Sequence, residues 1–250
     1  MNTICVLPLN ILKTAIKNKT LLSTKILLPA QKELVLNSGL GLVSYDAIRI
    51  EFKEFELPTH FKTIQNIIIT SKNAWQALKN KRPDEFKSVI ATKRFFCVGD
   101  KVKNAIEESG GNVLETAENA FSLAEKIIQN HKKDKFLFFC GNLRRDELPN
   151  QLSKYHVSFH EQIVYQTLPN HQKFNRTFDG ILFASPSAVQ SYCKVNEIGK
   201  SIAFCIGATT ANEAKKYTDN IVTATKPSIE NMIVQAIKTF KKVNRIRIDT

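Results

Sequence analysis

This sequence predicts an α/β fold of two similar domains, each a mostly parallel sheet flanked by helices, and three observations lead there. The first is an internal echo: Asn66-Ile67-Ile68-Ile69-Thr70-Ser71-Lys72-Asn73-Ala74 returns as Gly180-Ile181-Leu182-Phe183-Ala184-Ser185-Pro186-Ser187-Ala188. Phe95-Phe96-Cys97-Val98-Gly99 returns as Ala203-Phe204-Cys205-Ile206-Gly207, and Lys25-Ile26-Leu27-Leu28 as Lys135-Phe136-Leu137-Phe138. From Ser71 to Ser185, Gly99 to Gly207 and Lys25 to Lys135 the spacings are 114, 108 and 110 residues. Events in one order at nearly one spacing imply a duplicated unit, far longer than the roughly 20–50-residue period of a solenoid. The second observation is that short, continuously apolar runs alternate with amphipathic helical stretches, the pattern of parallel strands covered on both faces. The third is size: 250 residues, 43% of them hydrophobic, suffice for two modest cores. A ligand is expected at the seam of two such domains.

Taken in order, the elements follow from these patterns. Residues 1–24 read as an N-terminal extension or a first helix, because the apolar run from Ile4 to Leu12 precedes its lysines instead of following them, which does not fit a signal peptide. Residues 25–29 form a strand, followed by a helix that breaks near Ser38-Gly39. Residues 43–52 and 157–167, at corresponding places in the two units, read as extended connecting strands. The runs at Ile67 to Ile69 and Ile181 to Phe183 lead into helices beginning at Ser71 and Ser185. Those at Phe95 to Val98 and Phe204 to Ile206 end at Gly99 and Gly207 and open further helices. The basic stretch from Lys241 to Arg247 reads as a frayed end.

Charge and composition narrow the function classes. With 36 Lys+Arg against 23 Asp+Glu the net charge is +13, which gives a field that draws anions. The charge is scattered, and no RNP, KH or helix-turn-helix pattern accompanies it, so nucleic acid is not an expected partner. Five cysteines without a CxxC pair, four of them (Cys97, Cys140, Cys193, Cys205) in or near apolar runs, read as buried thiols of a reducing, cytoplasmic setting. The five histidines show no metal-ligand spacing, so no metal site is expected. No stretch is long enough to span a bilayer, and a soluble protein is expected.

The polar candidates gather where strands give way to helices. Ser71, Ser185, Ser187, Thr209 and Thr210 all fall at such places, where free N–H groups and the helix dipole favour anions. Each also has a purely structural reading. Ser185-Pro186 is an N-cap followed by proline at the first helical position, and Ser187-Ala-Val-Gln190 and Thr210-Ala-Asn-Glu213 fit the capping box. Gly99 and Gly207 allow close backbone approach but belong to neither GxGxxG nor a P-loop, so a nucleotide is not indicated.

Gly141-Asn142-Leu143-Arg144-Arg145-Asp146-Glu147-Leu148-Pro149, followed by Ile163-Val164-Tyr165-Gln166-Thr167, resembles the uroporphyrinogen-III synthase family. The resemblance runs from about Lys25 to Lys238 and includes the Thr70-Ser71, Ser185-Pro186-Ser187 and Ile206-Gly207-Ala208-Thr209-Thr210-Ala211 blocks. It implies an interleaved topology: residues 1–46 with 168–250 as one domain, 53–160 as the other, and 47–52 with 161–167 as a two-stranded antiparallel connector carrying Tyr165. It also implies the reaction. Hydroxymethylbilane, a linear tetrapyrrole, loses its terminal hydroxyl as water and closes to uroporphyrinogen III with ring D inverted, without a cofactor. The substrate would be handed over from hydroxymethylbilane synthase, and a cytoplasmic monomer is expected.

The same resemblance assigns the residues. Tyr165 would be the general acid toward the leaving hydroxyl, while Thr70, Ser71, Asn73, Gly99, Asn142, Ser185, Ser187, Gly207, Thr209 and Thr210 would bind substrate, eight carboxylates included. Tyr165 also has a plainer reading, an aromatic packing from a linker strand. Arg144 and Arg145 have theirs in local ion pairs with Asp146 and Glu147. The chain departs from the family at Asn73, where some members carry arginine, at Gly99-Asp100-Lys101-Val102, where some relatives carry a hydroxyl residue, and at Ile202, where a basic residue is common. Lys72, Lys101 and Lys200 would supply charge in their place. A hinged, non-catalytic two-domain protein binding a small anionic ligand is the alternative that shares these features.

Overall fold

The computed structural model describes residues 19–246, with side chains through residue 241. The extension or first helix expected over residues 1–24 lies outside the described residues as far as residue 18. In chain order the elements are β1 (Thr20–Ser23), α1 (Pro29–Leu36), β2 (Gly41–Ser44), β3 (Ile48–Phe52), β4 (Asn66–Ile69), α2 (Lys72–Lys81), α3 (Pro83–Thr92), β5 (Arg94–Val98), α4 (Asp100–Glu107) and β6 (Asn112–Ala117). They continue as α5 (Ala120–Asn130), β7 (Lys135–Gly141), α6 (Glu147–Lys154), β8 (Ser158–Pro169), β9 (Gly180–Phe183), α7 (Pro186–Cys193), β10 (Ile202–Cys205), α8 (Ala208–Ala214), β11 (Ile221–Thr223) and α9 (Ile229–Ile246). The stretch expected to fray is therefore helical as far as Ile246, and of it only Arg247 lies outside the described residues.

The chain divides into two compact units, Met1–Arg49 with Pro169–Thr250, and Ile50–Leu168. The first holds a five-stranded sheet in the order β11-β10-β9-β1-β2, parallel throughout. A six-stranded sheet in the order β3-β8-β7-β4-β5-β6 belongs to the second, with the β8–β7, β7–β4, β4–β5 and β5–β6 pairs parallel. Residues 43–52 are not one extended strand: Tyr45-Asp46-Ala47 separates β2, in one sheet, from β3, in the other.

The first strand is Thr20–Ser23 and not residues 25–29. Leu21 and Leu22 are fully buried, whereas Ile26 and Leu28 are 54% and 66% exposed in the loop that runs to α1. An apolar run marks a strand only where neighbouring strands cover it, and of Lys25-Ile26-Leu27-Leu28 only Leu27 is buried. Leu22 of β1 lies opposite Val43 of β2 and Ile181 of β9, so this N-terminal strand sits in the sheet of the C-terminal half. The correct repeat partner follows from register. Leu137 of β7 lies opposite Ile67 of β4 as Leu22 lies opposite Ile181, and the orders β6-β5-β4-β7-β8 and β11-β10-β9-β1-β2 correspond strand for strand.

Each sheet is covered on both faces, as continuous apolar strands require. In the second unit Ile67, Ile69, Phe95, Cys97, Leu137 and Phe139 point into one core with Trp75 and Leu78 of α2. The alternate residues Ile68, Phe96, Phe136 and Phe138 point into another with Leu123 and Ile127 of α5. In the first unit Leu22, Ile181, Phe183, Ala203 and Cys205 face α7 and α8, while Leu21, Leu182 and Phe204 face α1 and α9. Such doubly wound sheets leave the ends of their strands, and above all the C-terminal ends, as the places for chemistry.

Candidate active site

In the second unit, the C-terminal ends of β4, β5, β7 and β8 carry the expected residues. β4 ends at Ile69; Thr70 follows half-buried, and Ser71, in extended conformation, caps α2. Its Oγ accepts the Asn73 N–H at 3.0 Å, the arrangement that satisfies an orphan donor of a first turn. The same Oγ accepts the Tyr165 hydroxyl at 3.1 Å. No acidic side chain occupies the first turn of α2, so its dipole is not neutralised from within. At the end of β5, Gly99 has φ +80°, a left-handed conformation that favours glycine, and α4 opens with Asp100, whose charge competes with an incoming anion there.

Tyr165 projects from β8 beside the end of β7. The β7–β8 register slips between Cys140 and Gly141: Cys140 lies opposite Ile163, and Gly141 opposite Tyr165. The phenol ring lies directly over Gly141, where an added Cβ would stand 2.4 Å from the ring Cζ. Asn142, expected to bind substrate, spends its side chain on the strand: Oδ1 accepts the Thr167 N–H at 2.8 Å, and its own N–H donates to the Tyr165 carbonyl at 3.2 Å. Arg144 is bonded through Nε to Glu161 at 2.8 Å and also to Asp146, which holds its guanidinium pKa up. The local pairing expected for Arg144 thus exists with Asp146, but the second partner is Glu161 of β8 and not Glu147. Arg145 is exposed, with no ion-pair partner among the described residues.

In the first unit, the ends of β9 and β10 carry the counterparts. Ser185 caps α7, its Oγ accepting the Ala188 N–H at 3.1 Å and lying 3.1 Å from Ser187 Oγ, with Pro186 at the first helical position. The box expected to start at Ser187 is therefore not formed; Ser187 is the second residue of a helix that Ser185 already caps. The box expected at Thr210 is absent too. Strand β10 ends at Cys205, Gly207 takes the capping position in extended conformation, and α8 starts at Ala208. That start puts Thr210 in the third helical position, 2% exposed, and leaves Thr209 exposed beside it. Glu213 pairs instead with Lys216 at 2.7 Å, which lowers its carboxyl pKa. Nothing lies within 4 Å of a Cβ built on Gly207.

The thiols take no part in this geometry. Burial pushes Cys140 up to about 11 and Cys193 and Cys205 up to about 12, and also raises Cys97, so all four stay protonated near neutrality. Among the described residues no group of three or more His, Cys, Asp or Glu is placed to hold a metal ion, and no helix is long and apolar enough to cross a membrane. A cavity of about 640 Å³ in the first unit lies at the opposite, N-terminal ends of the strands, beside the Lys19–Asp179 ion pair at 2.7 Å. Sequence reasoning gives no role to Gly141 or Glu161, because both act across the β7–β8 pairing, whose bulge leaves no mark in the one-dimensional pattern.

Comparison with known proteins adds to this geometry. The model of the family described as uroporphyrinogen-III synthase HemD matches residues 32–234. The chain is 28% identical over 168 residues to a uroporphyrinogen-III synthase of Saccharomyces cerevisiae, covering 61% of this chain and 61% of that protein. It is 27% identical over 188 residues to a porphyrin biosynthesis protein HemD of Ruminiclostridium josui, covering 67% of this chain and 36% of that one. The match thus spans less than two thirds of the length of either curated relative. Among solved structures, uroporphyrinogen-III synthetase from Helicobacter pylori superposes with a TM-score of 0.70 at 17% identity, covering 88% of this chain and 99% of that one. A mutant uroporphyrinogen III synthase from the extremely thermophilic bacterium Thermus thermophilus gives 0.60 at 12% identity, covering 90% and 99%. At these identities the likeness is one of fold.

Proposed function

The chain belongs to the uroporphyrinogen-III synthase family, and from that premise we propose that it cyclises hydroxymethylbilane to uroporphyrinogen III, inverting ring D and releasing water. The observation that carries the reading is the hydroxyl of Tyr165, held 3.1 Å from Ser71 Oγ at the C-terminal end of a parallel sheet. Tyr165 gives its proton to the departing hydroxyl. Water leaves, an electrophilic azafulvene remains, and the far pyrrole attacks it; the spiro intermediate fragments and recloses the other way round. The proton released when the pyrrole that forms the last bond regains aromaticity restores the tyrosine. A phenol is a mild acid, so much of the rate falls to positioning.

The substrate's carboxylates are the groups the rest of the set would receive. At one sheet edge these are Thr70, Ser71, Asn73 and the backbone at Gly99; at the other, Ser185, Ser187, Gly207, Thr209 and Thr210. The first turns of α2 and α7 lack acidic residues, and the space where a Gly207 side chain would stand is open, which supports this part of the reading. Of the two threonines, exposed Thr209 is the better placed for contact. The reading extends to a monomer that draws on no cofactor, receives its substrate from hydroxymethylbilane synthase and works in the cytoplasm, where free buried thiols persist.

Replacement of Tyr165 by Phe tests the role directly. A group that acts mainly in the transition state lowers kcat and leaves product affinity near its original value. Wild-type single-turnover rates in Tyr165→Phe would remove the tyrosine from the mechanism.

A further inference from the structure

We propose that Gly141 is a positioning residue for Tyr165: its missing side chain is what lets the phenol reach Ser71, and Asn142 fixes the strand that carries the ring. The catalytic consequence rests on the reading of Tyr165 as the acid, while the geometric claim does not.

The usual reason for a glycine is absent here. Among the described residues the glycines with positive φ are Gly39, Gly99, Gly110 and Gly199, so the backbone at Gly141 would accept alanine without strain. Space is what forbids it. A Cβ at Gly141 would stand 2.4, 2.6 and 2.7 Å from Cζ, Cε2 and the hydroxyl oxygen of Tyr165, against the roughly 3.5–4 Å of ordinary contact. The ring would have to move by about 1 Å or more, and its hydroxyl with it.

The neighbouring features serve the same end. The slip in the β7–β8 register brings Tyr165, and not the fully buried Val164, opposite Gly141. Bulges re-aim side chains in this way next to sites of function. Asn142 then takes over where β7 ends. Its backbone N–H bonds the Tyr165 carbonyl at 3.2 Å, and its side chain exchanges bonds with Thr167, accepting at 2.8 Å and donating at 3.5 Å. Asn142 therefore pins β8 at the residue carrying the ring and two residues beyond it, and Gly141 is the floor on which the ring lies. Asn142 acts through β8 and not by touching substrate.

The experiment is Gly141→Ala in the full chain, made in the wild-type and in the Tyr165→Phe background. Rates and KM are measured with freshly prepared hydroxymethylbilane, stability by urea unfolding, and ring placement by ¹⁹F NMR of 3-fluorotyrosine-labelled protein, the Tyr165 resonance being assigned by its loss in Tyr165→Phe. In the wild-type background kcat is expected to fall about 10- to 100-fold with KM within about twofold, and the residue-165 resonance to shift. In the Tyr165→Phe background, where no hydroxyl remains to be misplaced, the further fall is expected to stay under about twofold. Equal losses in both backgrounds, or an unmoved resonance, would overturn the proposal. Should Gly141→Ala fail to fold, Asn142→Ala, which adds no bulk, is expected to shift the same resonance, and an unshifted resonance there counts against it. A wild-type chain that does not turn over hydroxymethylbilane would defeat the functional reading alone, since the fluorine resonance still decides the geometry.

Discussion

Ser71 holds two bonds at once, and removing its hydroxyl should therefore cost more than an ordinary cap. Ser71→Ala deletes the acceptor for the Asn73 N–H, at 3.0 Å, and for the Tyr165 hydroxyl, at 3.1 Å. A lost N-cap costs about 1 kcal/mol and a lost neutral hydrogen bond about 1 kcal/mol more, so Ser71→Ala is expected to destabilise the second unit by about 2 kcal/mol. Tyr165→Phe removes only the shared bond and is expected to cost about 1 kcal/mol. The double variant then costs about 2 kcal/mol and not about 3, a coupling of about 1 kcal/mol that exceeds the roughly 0.3–0.5 kcal/mol scatter of additive pairs. The assay is built into the chain. Its one tryptophan, Trp75, sits on α2 at 4% exposure against Phe86 and Phe95, so its emission follows unfolding of this unit. With a urea dependence of about 1–3 kcal/mol/M, a loss of about 2 kcal/mol moves the midpoint by about 1 M. A coupling below about 0.3 kcal/mol would refute the bond between Ser71 and Tyr165 and with it the preset geometry of the acid.

Other expectations separate contact from support. Thr209→Ala is expected to leave stability within about 0.5 kcal/mol and to weaken product binding, whereas Thr210→Ala is expected to lower stability by about 1–3 kcal/mol through its buried position, as urea melts and titration with product would read. Lys93, 5% exposed, donates to the carbonyls of Phe61, Lys62 and Ile64; Lys93→Met should cost about 2–4 kcal/mol in the Trp75 melt by removing the donor these carbonyls share. Raised thiol values mean little thiolate: at pH 8 Cys193 and Cys205 hold on the order of 10⁻⁴ of theirs, so alkylation of the native protein should be slow and should quicken as pH climbs toward about 12. Prompt labelling of more than one thiol per native chain would contradict that.

Much of this architecture is legible in the sequence because parallel strands buried on both faces must be apolar without interruption. Ile67 to Ile69, Phe95 to Val98, Ile181 to Phe183 and Phe204 to Cys205 announce themselves in this way. Ser71 and Ser185 are legible as caps for a local reason: an extended serine before a helical run bonds its own first turn. The first strand is harder to place because burial, and not apolarity, distinguishes Leu21 and Leu22 from Ile26 and Leu28, and burial depends on distant β2 and β9. Thr210 reads as a cap from its spacing to Glu213, but the end of β10 sets the cap, and with it the helix start, three residues earlier. Gly141 stands in the family-like block with no sign of its task, since only the β7–β8 register brings Tyr165 over it.

What distinguishes an enzyme of this family from a passive binder is that the protein directs ring closure. The most direct measurement incubates the full chain with freshly made hydroxymethylbilane, oxidises the products and separates the type I and type III isomers, with a protein-free sample alongside. Type III is expected as the dominant product in the presence of protein and type I, from spontaneous closure, in its absence. Type I alone in both samples, even with the ligand bound, would contradict it and leave a protein that binds an anionic tetrapyrrole without closing it.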